Sequence, residues 1–215
     1  MTVLRRLTDG LWRELRYALW LTVHPFKGFW EIKKEGRGSG RTATFFLLCY
    51  LLVTALSGLY TGYLFREEDV LDFSAPKAML QVLLLFFGFC VANWGLTCLF
   101  DGEGTFADIY RMTAYALLPL LLIRTLLLPL SNYFLLTEQS FYTALYSVAL
   151  LWSGFLLLVG TLVTHQYSLG KTVVMLLCIV AAMCMLAYIA LLYLDLVWQV
   201  IGFITTLLRE ASMRR

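Results

Sequence analysis

The chain has 215 residues, 60% of them apolar or aromatic and 14% charged, with a net charge of +3 and a mean hydropathy of +0.77. A water-soluble domain runs at about 45 to 50% apolar and about 25% charged, so an ordinary soluble enzyme or binding domain is excluded. Charge is also segregated: 13 charged residues fall between Met1 and Arg41, and long apolar runs follow. Several of those runs reach the roughly 17 to 25 residues that a helix needs to cross a bilayer. The expected fold is all-α, a polytopic transmembrane bundle of five spans with N-terminal interfacial amphipathic helices. Its expected organisation is a basic interfacial segment over 1–41, a membrane domain over 42–208 and a basic tail over 209–215.

Nine basic residues (Arg5, Arg6, Arg13, Arg16, Lys27, Lys33, Lys34, Arg37, Arg41) stand against four acids in the first segment. Leu4, Leu7, Leu11, Leu15 and Ala18 recur at spacings of three and four with charges on the opposite side, the pattern of an amphipathic helix. Trp12, Tyr17 and Trp20, then Phe26, Phe29 and Trp30 after the His24–Pro25 break, are residue types that settle at headgroup level. Residues 3–35 are therefore read as two helices on the cytoplasmic leaflet. Arg5, Arg6, Trp12, Arg13, Arg16, Trp20, Lys33 and Lys34 form the expected membrane-interface set, with anionic lipids as partner. Nucleic acid is the rival partner of a basic stretch. Interleaving with Leu and Trp directly before a span favours the membrane surface, and no nucleic acid is expected. No small-residue cleavage site follows the segment, so it is not read as a secretory signal.

Gly36-Arg-Gly-Ser-Gly40 reads as a hinge into span one, Thr42 to Phe65. An acidic stretch, Arg66-Glu-Glu-Asp69, follows, and Ser74 with Pro76 predicts the cap and first turn of span two, Ala78 to Phe100. In Asp101-Gly-Glu-Gly104 the ligand spacing of a calcium loop is missing, whereas Thr105 and Asp108 have the spacing of a capping box that opens span three. Span three, Tyr110 to about Leu130, carries Pro119 and Pro129 and is expected to be kinked. Span four covers Tyr142 to Thr164. After His165-Gln-Tyr-Ser-Leu-Gly-Lys171 comes an apolar run from Thr172 to Leu208 whose sole charge is Asp195. No turn signal interrupts it, so one span ending near Asp195 is expected, continued by an apolar helix along or away from the outer face.

The turn Gly102-Glu-Gly-Thr-Phe106, the run Thr113-Ala-Tyr-Ala-Leu-Leu-Pro119, the stretch Trp152 to Gly160 and His165-Gln-Tyr-Ser-Leu-Gly-Lys171 occur in an order that resembles the Yip domain family. These are five-span proteins named for interaction with Ypt/Rab small GTPases. The lead Val23-His-Pro-Phe-Lys-Gly-Phe-Trp-Glu-Ile-Lys33 resembles the prokaryotic type, and the spans lack the eukaryotic Asp-Leu-Tyr-Gly-Pro signature. The resemblance implies five spans and, for prokaryotic members, an accessory membrane protein sometimes associated with transporter systems; a GTPase-binding role is not carried over.

Chemistry is sparse. There is no GxSxG and no HExxH, no metal or cofactor is expected, and the chain is not expected to be an enzyme. Five cysteines in apolar runs read as packing residues. His24 and His165 are expected to be interfacial hydrogen-bonders on the cytoplasmic side. Arg124 stands out, because an Arg within a span costs about 2.5 to 3.5 kcal/mol unless it snorkels or pairs, and Asp195 is its one intramembrane acid partner. Gly58, Gly62, Gly88 and Ala92 mark close helix contacts. The expected function is a non-enzymatic accessory or scaffold subunit of a membrane complex, with another membrane protein as partner, a transporter subunit being one candidate. The expected location is a prokaryotic plasma membrane, N-terminus inside. The alternative is a small transporter or channel, which a water-filled cavity lined by Arg124, Asn93 and Asp195 would favour.

Overall fold

A computed structural model describes residues 2–62, 73–134 and 136–213. They are almost wholly helical, in the order α1 (Thr2–Val23), α2 (Pro25–Trp30), α3 (Gly40–Tyr60), α4 (Ala75–Phe100), α5 (Phe106–Ala116), α6 (Leu118–Leu130), α7 (Gln139–His165) and α8 (Leu169–Met213). Five segments are long and apolar enough to cross a membrane: α3, Ala75–Thr97 of α4, α5 with α6 as one run, α7, and Leu169–Thr206 of α8. The acidic stretch 66–69 lies outside the described residues.

Local chemistry sets the boundaries. Ser39 caps α3 by accepting from the Thr42 amide at 3.1 Å. Pro76 occupies the first turn of α4 as expected, although the Ser74 side chain makes no capping bond. Thr105 and Asp108 close the expected capping box at the start of α5. Span three breaks at Leu117, where α6 starts with Pro119 in its first turn, since proline has no amide to continue the α5 ladder. Pro129 is accommodated inside the last turn of α6. The run after Lys171 is a single unbroken helix.

The five spans alternate in direction, so α3 and α5 begin, and α7 ends, at one side of the bundle, here called the base. α3 packs on α4, α5 and α6, and α7 packs on α5 and α6. The core between them centres on Phe46, Tyr50, Met112, Tyr115, Leu156 and Val159. Gly160 lets α7 approach α5 and α2, since a Cβ there would meet the Met112 side chain and the Phe29 ring at 3.3 Å. α8 packs on α4 and α7 only through its first half, where Met175 and Ile179 are fully buried against Ala92 and its neighbours. From Met183 outward it stands clear.

The N-terminal helices do more than lie on a surface. Tyr17 Oη donates to Gly28 O at 2.8 Å, a Cβ at Gly28 would sit 3.0 Å from Leu21 Cβ, and the Ser39 amide reaches Glu14 at 3.4 Å, so α1 and α2 form an antiparallel hairpin with its tip at His24. Ala18, Leu21, Phe29 and Ile32 on its inner face are buried in the bundle. Trp152 Nε1 of α7 donates to Thr22 O at 3.2 Å, which sets the tip about 20 Å along α7 from its end at the base. Val23, Phe26 and Trp30 remain exposed on the outer face.

Candidate functional site

Two polar constructions stand out, one at the base and one near the opposite end. At the base, Asp108 is the centre. Its Oδ2 accepts from Lys33 Nζ at 2.9 Å and from Thr105 Oγ1 at 2.7 Å, and its Oδ1 accepts from Arg111 at 2.6 Å. Lys33 also donates to Glu103 O at 2.9 Å. A carboxylate held by two cations and its own helix start fixes the hairpin to the α4–α5 turn. Lys33 is thus turned away from the lipid surface where the sequence placed it.

Beside this clamp, His165 at the end of α7 is almost wholly buried. Its Nε2 lies 3.0 Å from Asn93 Oδ1, and the Gly104 amide approaches its Nδ1 at 3.4 Å. A histidine donating from Nε2 and accepting at Nδ1 satisfies both contacts. Its ring stacks on Tyr167, whose ring in turn carries Lys171 Nζ 4.5 Å from its centroid. Burial, reinforced by Asp101, raises the Tyr167 hydroxyl above its ordinary value, so it stays protonated. Glycine is required at 102 and 104 because a Cβ at either would run into the His165 ring. The residue pattern that carried the family resemblance, Gly102 to Phe106 and His165 to Lys171, therefore folds into one knot joining four helix ends.

The second construction surrounds Arg124. Nη1 donates to Tyr50 Oη at 3.2 Å and to Thr54 Oγ1 at 3.3 Å, and Nη2 donates to Ser57 Oγ at 3.3 Å. Tyr50, Thr54 and Ser57 occupy one face of α3 by their spacing of four and three. The guanidinium borders a cavity of about 650 Å³ whose walls come from α3, α4, α6 and α7. Its rim adds Lys77 and Gln81 from α4 and Tyr142 and Tyr146 from α7. Asp195 plays no part: it is exposed on α8 and accepts from Gln199 one turn away at 2.8 Å. The Arg124–Asp195 pair, the alternative to snorkelling, is absent among the described residues because α8 has left the bundle before Asp195 is reached. Asn93 also faces the knot instead of this cavity.

Other expected residues fall as follows. The side chains of Arg5, Arg6 and Trp12 lie outside the described ones, while Arg13, Arg16 and Lys34 are exposed. Trp20 is half-buried, stacked between Tyr17 and His24 at centroid distances of 5.9 and 5.1 Å, with Lys27 over its ring. Burial and the nearby Glu31 push the Tyr17 hydroxyl well above its ordinary value, which keeps it a donor to Gly28. A Cβ at Gly58 would enter the Phe73 ring, and one at Gly62 would enter the Ser131 carbonyl, whose residue also accepts the Gly62 amide on Oγ at 2.9 Å. Ala92 is buried, whereas Gly88 meets only Met183 Cε at 3.6 Å. His24 and His165 are not neighbours, and no group of three metal-ligating side chains occurs among the described residues. The sequence reading missed the hydroxyl ladder on α3; its signal was a Tyr, a Thr and a Ser on one face of a span otherwise built of Leu and Phe.

A five-span helical bundle with a docked amphipathic hairpin and a polar knot at its base defines a multi-pass membrane protein. The Yip1 domain family model matches residues 20–192, and the chain belongs to that family. No curated protein and no solved structure matches it.

Proposed function

We propose that the chain is a non-enzymatic accessory or scaffold subunit of a membrane complex in a prokaryotic plasma membrane, with its base in the cytoplasm. One observation carries this reading: α8 runs for 45 residues, and beyond Met183 its apolar side chains, Tyr188, Leu191, Leu194, Trp198 and Phe203 among them, are exposed around the whole helix. A helix apolar on all sides belongs inside a larger assembly or a bilayer. At 1.5 Å per residue it is about 66 Å long, against a hydrocarbon core of about 30 Å, so lipid alone does not sheathe an upright α8. A second integral membrane subunit fits the remainder. The orientation rests on Lys34, Arg37, Arg41, Arg111 and Lys171 gathering at the base, as positively charged loops do on the cytoplasmic side.

Photo-crosslinkers at Leu194 and Trp198, activated in native membranes, test the proposal. Reproducible adducts to another membrane protein are expected; adducts of twice the chain mass would make the partner a second copy. A chain that crosslinks to lipid alone and moves a solute in liposomes would overturn it. That outcome is the small-transporter reading; of the three residues expected to line its cavity, Arg124 borders one, while Asn93 and Asp195 do not.

A further inference from the structure

Arg124 is a cation 18 residues into its span, placed about 27 Å up from the start of α5 and so well within the bundle's height. Its partners are three neutral hydroxyls, each at 3.2 Å or more, and no carboxylate pairs with it among the described residues. A guanidinium offers five N–H donors in a planar fork that suits a phosphate, so a charge and part of that fork remain to be matched. Lys77, in the first turn of α4 at the end far from the base, brings a second cation to the same cavity. Among the described residues, none of those lining it is Asp or Glu. Such a chamber is built for an anion.

Its shape says which kind. α3 packs on α4 and α6, and α6 on α7, so the cavity has α3 and α6 as its back wall and α4 and α7 as its two sides. Toward the base α8 covers the groove between α4 and α7, with Met175 and Ile179 fully buried, but beyond Met183 it stands away. On that side α4 and α7, which do not pack closely on each other, present the exposed apolar side chains of Leu84 and Leu85, and of Leu151. A cationic polar interior with an apolar lateral exit is complementary to an amphiphile. We propose that the cavity holds the phosphate of an anionic phospholipid from the leaflet opposite the base, clamped by Arg124 and Lys77, with the acyl chains leaving between α4 and α7. The hydroxyls of Tyr50, Thr54 and Ser57 hold the guanidinium in place for this contact and leave its remaining N–H groups for the ligand. This is independent of whether the chain is a subunit of a larger assembly.

The full chain in detergent micelles, titrated with phosphatidylglycerol and read by native mass spectrometry, tests it. A specific 1:1 adduct is expected, weakened roughly tenfold or more by Arg124→Gln, as befits loss of a charge-assisted bond. Arg124→Lys should retain part of the binding. Lys77→Gln, at an exposed position that does not threaten folding, should weaken the adduct several-fold, and diacylglycerol without phosphate should not form it. Equal lipid retention by wild type and Lys77→Gln together with either Arg124 variant would overturn the proposal. Displacement of the lipid by glycerol 3-phosphate at comparable concentration would also overturn it, and would make the site one for a soluble phosphoester.

Discussion

Glycine positions separate by what surrounds them, and the separation is measurable. At Gly62 a methyl group would collide with the Ser131 backbone, which cannot rotate away. Gly62→Ala should therefore lower stability by about 1 to 3 kcal/mol, the usual range for overpacking, in thermal unfolding of the detergent-solubilised protein. Gly154, with nothing within 4 Å, should behave oppositely: Gly154→Ala should be neutral or stabilise by up to about 1 kcal/mol through helix propensity alone. At the knot, Asn93→Ala removes the partner of the buried His165 Nε2 and should cost about 1 to 3 kcal/mol, with little effect on Lys33 or Arg111. The Thr105–Asp108 box was readable because its residues are three apart. The Lys33–Asp108 bond was not, because its ends are 75 positions apart and each has a sufficient local reading, one as an interfacial cation and the other as a cap. Arg124 was conspicuous by its cost in a span. Its true surroundings were hidden, because three hydroxyls on another helix leave no charge pattern to pair with.

Among the helices, α1–α2 and α8 show how a correct periodicity leaves the partner open. The apolar stripe ending at Leu15 and Ala18 predicts that one face of α1 is buried, but a stripe does not distinguish lipid from protein. The structure fills the far end of that stripe with Leu21 against Gly28 and carries it on through Phe29. Phe29→Ala should then cost about 3 to 5 kcal/mol of bundle stability, as for a buried aromatic in a core. A purely interfacial Phe29 would leave the unfolding transition of the solubilised protein unmoved. For α8, the absence of Pro and of a turn signal between Thr172 and Leu208 was enough to predict one helix. Where Asp195 sits relative to the bundle was not legible, since the point where α8 leaves α4 depends on packing at Met183.

Across the whole molecule, direction follows from five alternating spans. If the base is cytoplasmic, the end of α8 is on the other side. A single Cys at Ser212, in an otherwise Cys-free chain, should react with an impermeant maleimide on intact cells. Labelling only after permeabilisation would reverse the orientation or demand a further crossing.

The docked hairpin also has a schedule. Its bonds reach from Lys33 to Asp108, from Glu14 to Tyr115 at 3.1 Å and from Thr22 to Trp152, separations of 75, 101 and 130 positions. During synthesis α1 and α2 leave the ribosome long before α5 and α7 exist to receive them. Until span four has been inserted, Leu21 and Phe29 have only lipid to cover them, and the basic, Trp-bearing segment has the chemistry to wait on the membrane surface. Its amphipathic character thus serves the nascent chain as a mooring, and the same apolar face becomes core once the last wall arrives. The first-made part of this bundle therefore cannot dock until its fourth span is in place.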